Sequence, residues 1–181
     1  ERLQLFAPAL VAKVRQQAQV GILGDALFDP DFCRAVATAM TQGKVLPAAQ
    51  GEIRFTGSAD LSRVDPAYIL ALEASRPSVA SSNTAVTLGE QLFLKCYRQV
   101  QSGINPELEI GRYLTETVRF ANCVPVAGAI EYHGTDGPVL TLGLPQAFVP
   151  NQGDAWEYTL DYLDRASSER HPRADERPAG Y

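Results

Sequence analysis

The chain has 181 residues, 45% of them apolar and 20% charged, with a formal net charge of −5. That is the composition of a soluble globular protein with length for one large domain or two small ones. Scattered basic residues on an acidic chain exclude a broad nucleic-acid footprint, and no apolar run approaches the ~20 residues that cross a bilayer.

The start, "ERLQLFAPAL", lacks the basic, apolar and small-residue regions of a signal peptide. It opens without Met and in mid-pattern, as a piece of a longer protein would. Cys33, Cys96 and Cys123 are an odd number without CxxC spacing. They read as reduced, structural thiols of a cytoplasmic protein. With two His and no HExxH, a metal site built from this chain alone is not expected.

In chain order, the first fifty residues read as helical. In "ALVAKVRQQAQV" the apolar positions Leu10, Val11 and Val14 recur at helix spacing. In "FDPDFCRAVATAMTQG", Asp29 is an N-cap with Pro30 at the first helical position. Phe32, Val36 and Met40 follow on one face, and Gly43 closes the helix. From "GEIRFTGS" the period changes to two. Strands are expected at 52–56, within 69–79, and at 84–88, 91–97, 127–132 and 138–144. "GE" (89–90) and "HGTDGP" (133–138) mark hairpin turns. Between the hairpins, Asn105-Pro106 opens a helix expected over 106–120. A last helix is expected from about Asp154 to Arg165, followed by a polar, charged tail. Helices, then a mostly antiparallel sheet interrupted by one helix, make an α+β fold.

Within strand 91–97, Lys95 shares a face with Phe93 and Tyr97. In helix 106–120, Ile110, Tyr113, Leu114, Thr117 and Val118 are expected to form one apolar stripe. Glu107 projects near that stripe and Glu109 at its edge, among Arg112 and Glu116. An inward glutamate is costly without a cation, and Lys95 is the nearest one in sequence. The plainer reading makes Lys95 a surface lysine and Glu107 a first-turn acid favoured by the helix dipole. Strand, turn, strand with a terminal lysine, helix with an inward glutamate and two more strands is the layout of a protein-kinase-like small lobe. There the lysine meets nucleotide phosphates and the glutamate fixes the lysine. Upstream, "SSNTAV" (81–86) has no glycine for a GxGxxG loop. Ser82, Asn83 and Thr84 still offer hydroxyl, amide and backbone donors.

The stretches "SNTAV", "LFLKCYR", "GINPELEIGRYLTE", "VPVAGAIEY" and "QAFVPNQGDAWEYTLDYL" occur in this order and spacing. Together they resemble bacterial maltokinases, aminoglycoside-phosphotransferase-like kinases that make maltose 1-phosphate from maltose and ATP. "LFDPDFCRAV" and "GEIRF" resemble the cap subdomain preceding that family's small lobe. The resemblance spans roughly residues 10–165. In many bacteria the same unit is fused behind a trehalose synthase domain, so trehalose and α-glucan metabolism is the implied setting.

The resemblance implies a mainly helical cap at 1–60, a kinase-like N-lobe at 61–150, and a post-hinge helix with a charged tail at 151–181. It makes Lys95 the phosphate-binding lysine, Glu107 its partner and Glu109 the fallback. Ser82, Asn83 and Thr84 would cover the phosphates, and Gln146, Ala147, Phe148 and Val149 would form the hinge whose backbone meets adenine. ATP and Mg2+ are the implied cofactors, with the metal ligands and the maltose pocket in a catalytic lobe that these 181 residues do not contain. "HGTD" at 133–136 differs from the family's HGD-type loop, since Asp136 sits one position late in a hairpin turn. No catalytic residue is therefore expected, and neither nucleic acid nor membrane is an expected partner. The alternative is a non-catalytic, kinase-like interaction module associated with a trehalose synthase. Trp156, Tyr158 and Tyr162 are expected to pack the last helix, and Asp154 to cap it.

Overall fold

In a computed structural model, residues 9–76, 83–151, 153 and 155–170 are described. They form an α+β arrangement with two units, Glu1–Phe148 and Val149–Tyr181. The first unit opens with a two-stranded hairpin, β1 (Leu10–Gln16) and β2 (Gln19–Gly24). This corrects the helix expected there. Leu10, Val11 and Val14 fit a helix, but Val20 and Ile22 continue a β-branched alternation, and short apolar runs do not distinguish the two. Gln17, at φ 55°, turns the chain between the strands.

Helix α1 (Pro30–Thr41) forms as the sequence requires. The Asp29 side chain accepts from the Asp31 N–H, and Pro30 takes the first turn. At its C-terminus Gly43 adopts φ 60°. The Gly43 N–H donates to Met40 O (3.2 Å) and the Lys44 N–H to Ala39 O (2.9 Å), the paired bonds of a Schellman motif. Buried Cys33, Val36, Ala37 and Met40 form its inner face.

Seven further strands make one sheet: β3 (Val45–Ala48), β4 (Gly51–Gly57), β5 (Ala74–Ser75), β6 (Thr84–Leu88), β7 (Leu92–Cys96), β8 (Gly128–Gly134) and β9 (Val139–Ala147). Their order is β3-β4-β8-β9-β7-β6-β5, and every pairing is antiparallel. Because β4 pairs with β8, the segment expected as cap continues the sheet across residue 60. Strand β3 was not expected. It carries Pro47, which a sheet edge tolerates because no neighbour needs its N–H. The expected strand within 69–79 is reduced to β5, and helix α2 (Pro66–Ala71) precedes it. Asp65 caps α2 as Asp29 caps α1, accepting from the Ala67 N–H at 2.9 Å.

Helix α3 (Pro106–Arg112) continues as a π-helical turn over Tyr113–Val118 and ends at Arg119, φ 54° and ψ 46°. The expected apolar stripe is corrected. Ile110, Tyr113 and Val118 are exposed, while Leu108 is the buried residue of α3. A Cβ on Gly111 would lie 2.6 Å from Val126 Cγ2. The face towards the sheet thus runs through 107, 108, 111 and 115, one step round from the stripe.

Two apolar clusters lie on opposite faces of the sheet. One joins α1 to Phe55, Val86, Leu88, Leu92, Leu94 and Ile130. The other joins Leu108 to Val126, Ala129 and Leu144, with Tyr97 against it. In the second unit, helix α4 (Ala155–Arg170) runs further than expected, taking in the first residues read as tail. Trp156, Tyr158 and Tyr162 are exposed on it, a correction to the expectation that they pack it. Ser82, Asp154 and the segment 171–181 lie outside the described residues. No helix among those described is long and apolar enough to cross a membrane.

Candidate functional site

Lys95 sits on β7 near the middle of the sheet, with Ala85 of β6 and Leu144 of β9 as cross-strand partners. Opposed residues share a face, so Ala85, Thr87, Phe93, Lys95 and Leu144 point to one side, the side α3 covers. Asn105 caps α3 by accepting from the Leu108 N–H at 3.1 Å, and Glu107 falls in its first turn. Lys95 Nζ donates to both carboxylate oxygens of Glu107, at 2.9 and 2.7 Å. The Tyr97 hydroxyl donates to Glu107 Oε2 at 2.9 Å, and Lys95 Nζ lies 5.5 Å from the centre of the Tyr97 ring. Of the two glutamates the sequence left open, Glu107 meets the lysine and Glu109 lies exposed on α3.

The pair is placed where it contributes little to stability. The Lys95 and Glu107 side chains are 24% and 40% exposed, and solvent-accessible ion pairs contribute about 0–1 kcal/mol. Its effect is positional: a bidentate carboxylate and a phenol fix an ammonium group that is still open to solvent. Tyr97 was not singled out from sequence, although it follows Lys95 by two on the same face. Asn105→Ala is expected to cost about 1 kcal/mol by uncapping α3 and to loosen Glu107. A urea midpoint equal to wild type would count against it.

The remaining expected site residues divide. The Thr84 hydroxyl is buried on the face opposite Lys95 and accepts from Arg98 Nε at 2.7 Å. Its side chain is thereby removed from the phosphate-covering set. Asn83 precedes β6. Gln146 and Ala147 end β9. The Ala147 N–H donates to Pro125 O at 2.9 Å and the Phe148 N–H to Gln91 O at 3.0 Å, so neither N–H is available to a base. Val149 O accepts from Asn151 Nδ2 at 3.1 Å within the second unit. His133 lies on β8, and Asp136 in the turn before β9, the hairpin read from sequence. No family model matches the chain.

Burial above all, then the hydrogen bond to Glu107, pushes the Tyr97 phenol above its usual range. Burial pushes the Cys96 thiol up to about 12 and the Cys33 thiol up to about 11, the latter helped by Asp29. All three groups hold their protons more tightly folded than unfolded. Their stabilisation is complete below the ordinary values of 9.0 for Cys and 10.0 for Tyr and is lost as pH rises through the folded ones. The urea midpoint is expected to stay level to about pH 9 and to fall above it as the raised Cys33, Cys96 and Tyr97 groups lose their protons more readily in the unfolded chain. Tyr97→Phe should flatten the part above pH 10. A midpoint level across that range would refute the assignment.

Proposed function

We propose that this chain is the cap and nucleotide-binding small lobe of a maltokinase, the enzyme class that transfers a phosphoryl group from Mg-ATP to maltose. The observation that carries the reading is the Lys95–Glu107 pair, on the strand and helix where a kinase-like lobe places its phosphate lysine and that lysine's partner. The order of elements supports it: β6, a turn, β7 with Lys95, α3 with Glu107, then β8 and β9.

In this mechanism the Lys95 ammonium donates to phosphate oxygens and offsets charge on the transferring group. Glu107 accepts from the ammonium and keeps it aimed, and Tyr97 restrains Glu107. Ala85, Thr87 and Phe93 form the part of the sheet face beside Lys95 on which a nucleotide lies. Mg2+ would further neutralise the phosphates. No group of three or more His, Cys, Asp or Glu among the described residues is arranged to hold it; in this reading its ligands would come from the catalytic lobe. The catalytic base and sugar pocket belong to a further lobe, and a trehalose synthase domain or subunit is the natural supplier of maltose.

The 181-residue chain is therefore expected to fold, to bind Mg-ATP weakly and not to phosphorylate maltose. One cleft wall leaves the far side of the adenine wet. Calorimetric titration with Mg-ATP and an ADP-release assay with maltose test this together. Maltose-dependent ADP release above a Lys95→Ala control would sink it, and submicromolar ATP binding would contradict the one-wall argument.

A further inference from the structure

A cleft of about 810 Å³ lies between α3, with its π-helical turn, and the ends of β8 and β9 that meet at their hairpin. That volume is in the range of small-molecule sites, roughly 300–1,000 Å³. Neither Lys95 nor Glu107 lines it. One wall is the α3-facing side of the sheet. Alternation along β8 puts Glu131 and His133 on the face of Ala129, which packs with Leu108. The register sets Thr141 opposite Glu131 and Val139 opposite His133, and all four residues line the cleft.

The polar groups of this wall are poorly matched by the chain itself. His133 Nε2 is buried and has no hydrogen-bond partner. The Glu131 side chain is 16% exposed, yet Arg112 Nη2 lies 3.7 Å from its Oε2, beyond hydrogen-bond reach. Arg54, opposite Glu131 on β4, is engaged by Glu52 at 2.6 Å. Thr141 is 5% exposed, and among the described residues its hydroxyl makes no hydrogen bond. Burying a polar group without a partner costs stability. Three of them facing one cavity form a set of acceptors suited to a donor from outside the chain.

The lining also fixes the sign of that donor. Glu109, Glu116 and Glu131 stand against Arg112 alone, so the cleft repels an anion and attracts a cation. An ammonium group carries three donors, a carboxylate accepts more than one, and neutral His133 accepts at Nε2 when its proton is on Nδ1. The opposite side is apolar: Ile104, Tyr113 and Val139 line the cleft and are exposed. The Tyr113 ring offers a face to an apolar body or to the cation itself.

We infer that this cleft binds a small organic cation, a primary amine or guanidine carried on an apolar body. The cationic head donates to Glu131 and His133 Nε2, and the body lies against Tyr113 and Val139. The inference stands independently of the nucleotide reading.

The test is an NMR titration of the full 181-residue chain with 2-phenylethylamine. The same body without the charge, 2-phenylethanol, and with the opposite charge, phenylacetate, are the controls. Salt is held at about 0.15 M to screen exposed charges. Saturable shifts are expected at the amides of Tyr113, Glu131 and His133, with a dissociation constant on the order of 1 mM. The alcohol should bind at least about tenfold more weakly, and phenylacetate should not saturate. Glu131→Gln and His133→Phe should each weaken amine binding about tenfold. His133→Phe separates binding from folding, because an apolar ring replaces an unpaired buried nitrogen and the urea midpoint should not fall. Lys95→Ala should bind the amine as wild type does. The inference is overturned by absence of saturation up to about 50 mM amine, or by equal affinity for the alcohol or phenylacetate. Normal binding in Glu131→Gln or His133→Phe, or its loss in Lys95→Ala, would overturn it as well.

Discussion

Lys95→Ala is expected to abolish the Mg-ATP response of the chain while leaving its fold intact. The fold survives because the ammonium group is partly solvated and the ion pair contributes about 0–1 kcal/mol. Glu107 keeps the Tyr97 hydroxyl as a donor. Under the proposed function nucleotide binding does not survive, because Lys95 is the cation that would meet the phosphates. In the same chain joined to a catalytic lobe, turnover should fall by roughly 10²–10³, the loss seen when one donor to transition-state charge is removed. Glu107→Gln should give part of that effect, because a neutral amide still accepts from the lysine without the charge that holds it. Glu109→Gln is the internal control and should change nothing, since only Glu107 meets Lys95. Equal damage from Glu107→Gln and Glu109→Gln, or Mg-ATP affinity retained in Lys95→Ala, would refute the assigned roles.

What was legible in the sequence was local chemistry. Asp29-Pro30 and Asn105-Pro106 start helices because a short acceptor side chain and a residue with preset φ satisfy the first turn wherever they occur. Strand β6 falls at the residues read for it, since alternation bounded by a turn needs no distant partner. Asp65-Pro66 carried the same helix signal and was hidden by the β-like run after it. The hairpin at Leu10–Gly24 was not legible, because Leu10, Val11 and Val14 satisfy both periods and pairing decides between them.

The Lys95–Glu107 pair was legible for a reason that proved incomplete. Ile110 and Tyr113 look like the inward face of α3 and point outward instead. The face is set by how closely Gly111 lets the helix approach Val126 and by the seat for Leu108, both tertiary facts. The π-helical turn, the left-handed Arg119 and the cleft between α3 and the β8–β9 hairpin likewise arise from packing between segments far apart in sequence, with no local signature.

Leu108→Ala is expected to produce the larger loss of stability and, through it, a second loss of function. Leu108 is 5% exposed and is the buried residue of α3, where it meets Val126, Ala129 and Leu144. Truncating a buried leucine costs about 2–5 kcal/mol in transfer and cavity terms together. Other ties are the close approach of Gly111 to Val126 and, beyond the α-helical part, the Val126 N–H donating to Thr115 Oγ1 at 3.0 Å, neither of which replaces the buried Leu108 side chain. Arg112 lies 3.7 Å from Glu131, a weak contact, and the pair to Lys95 is partly solvated. The loss should therefore appear first as loosening of α3 itself, with faster amide exchange there than in β7 or β9. Glu107, one residue before Leu108, would then stop fixing Lys95, and Mg-ATP affinity would fall with no nucleotide contact removed. Leu108→Met should restore most of both properties, since it nearly conserves volume. Urea denaturation, hydrogen exchange and Mg-ATP titration on the two variants form the check. A destabilised Leu108→Ala whose Lys95 environment and nucleotide binding match wild type would show that α3 does not position the lysine.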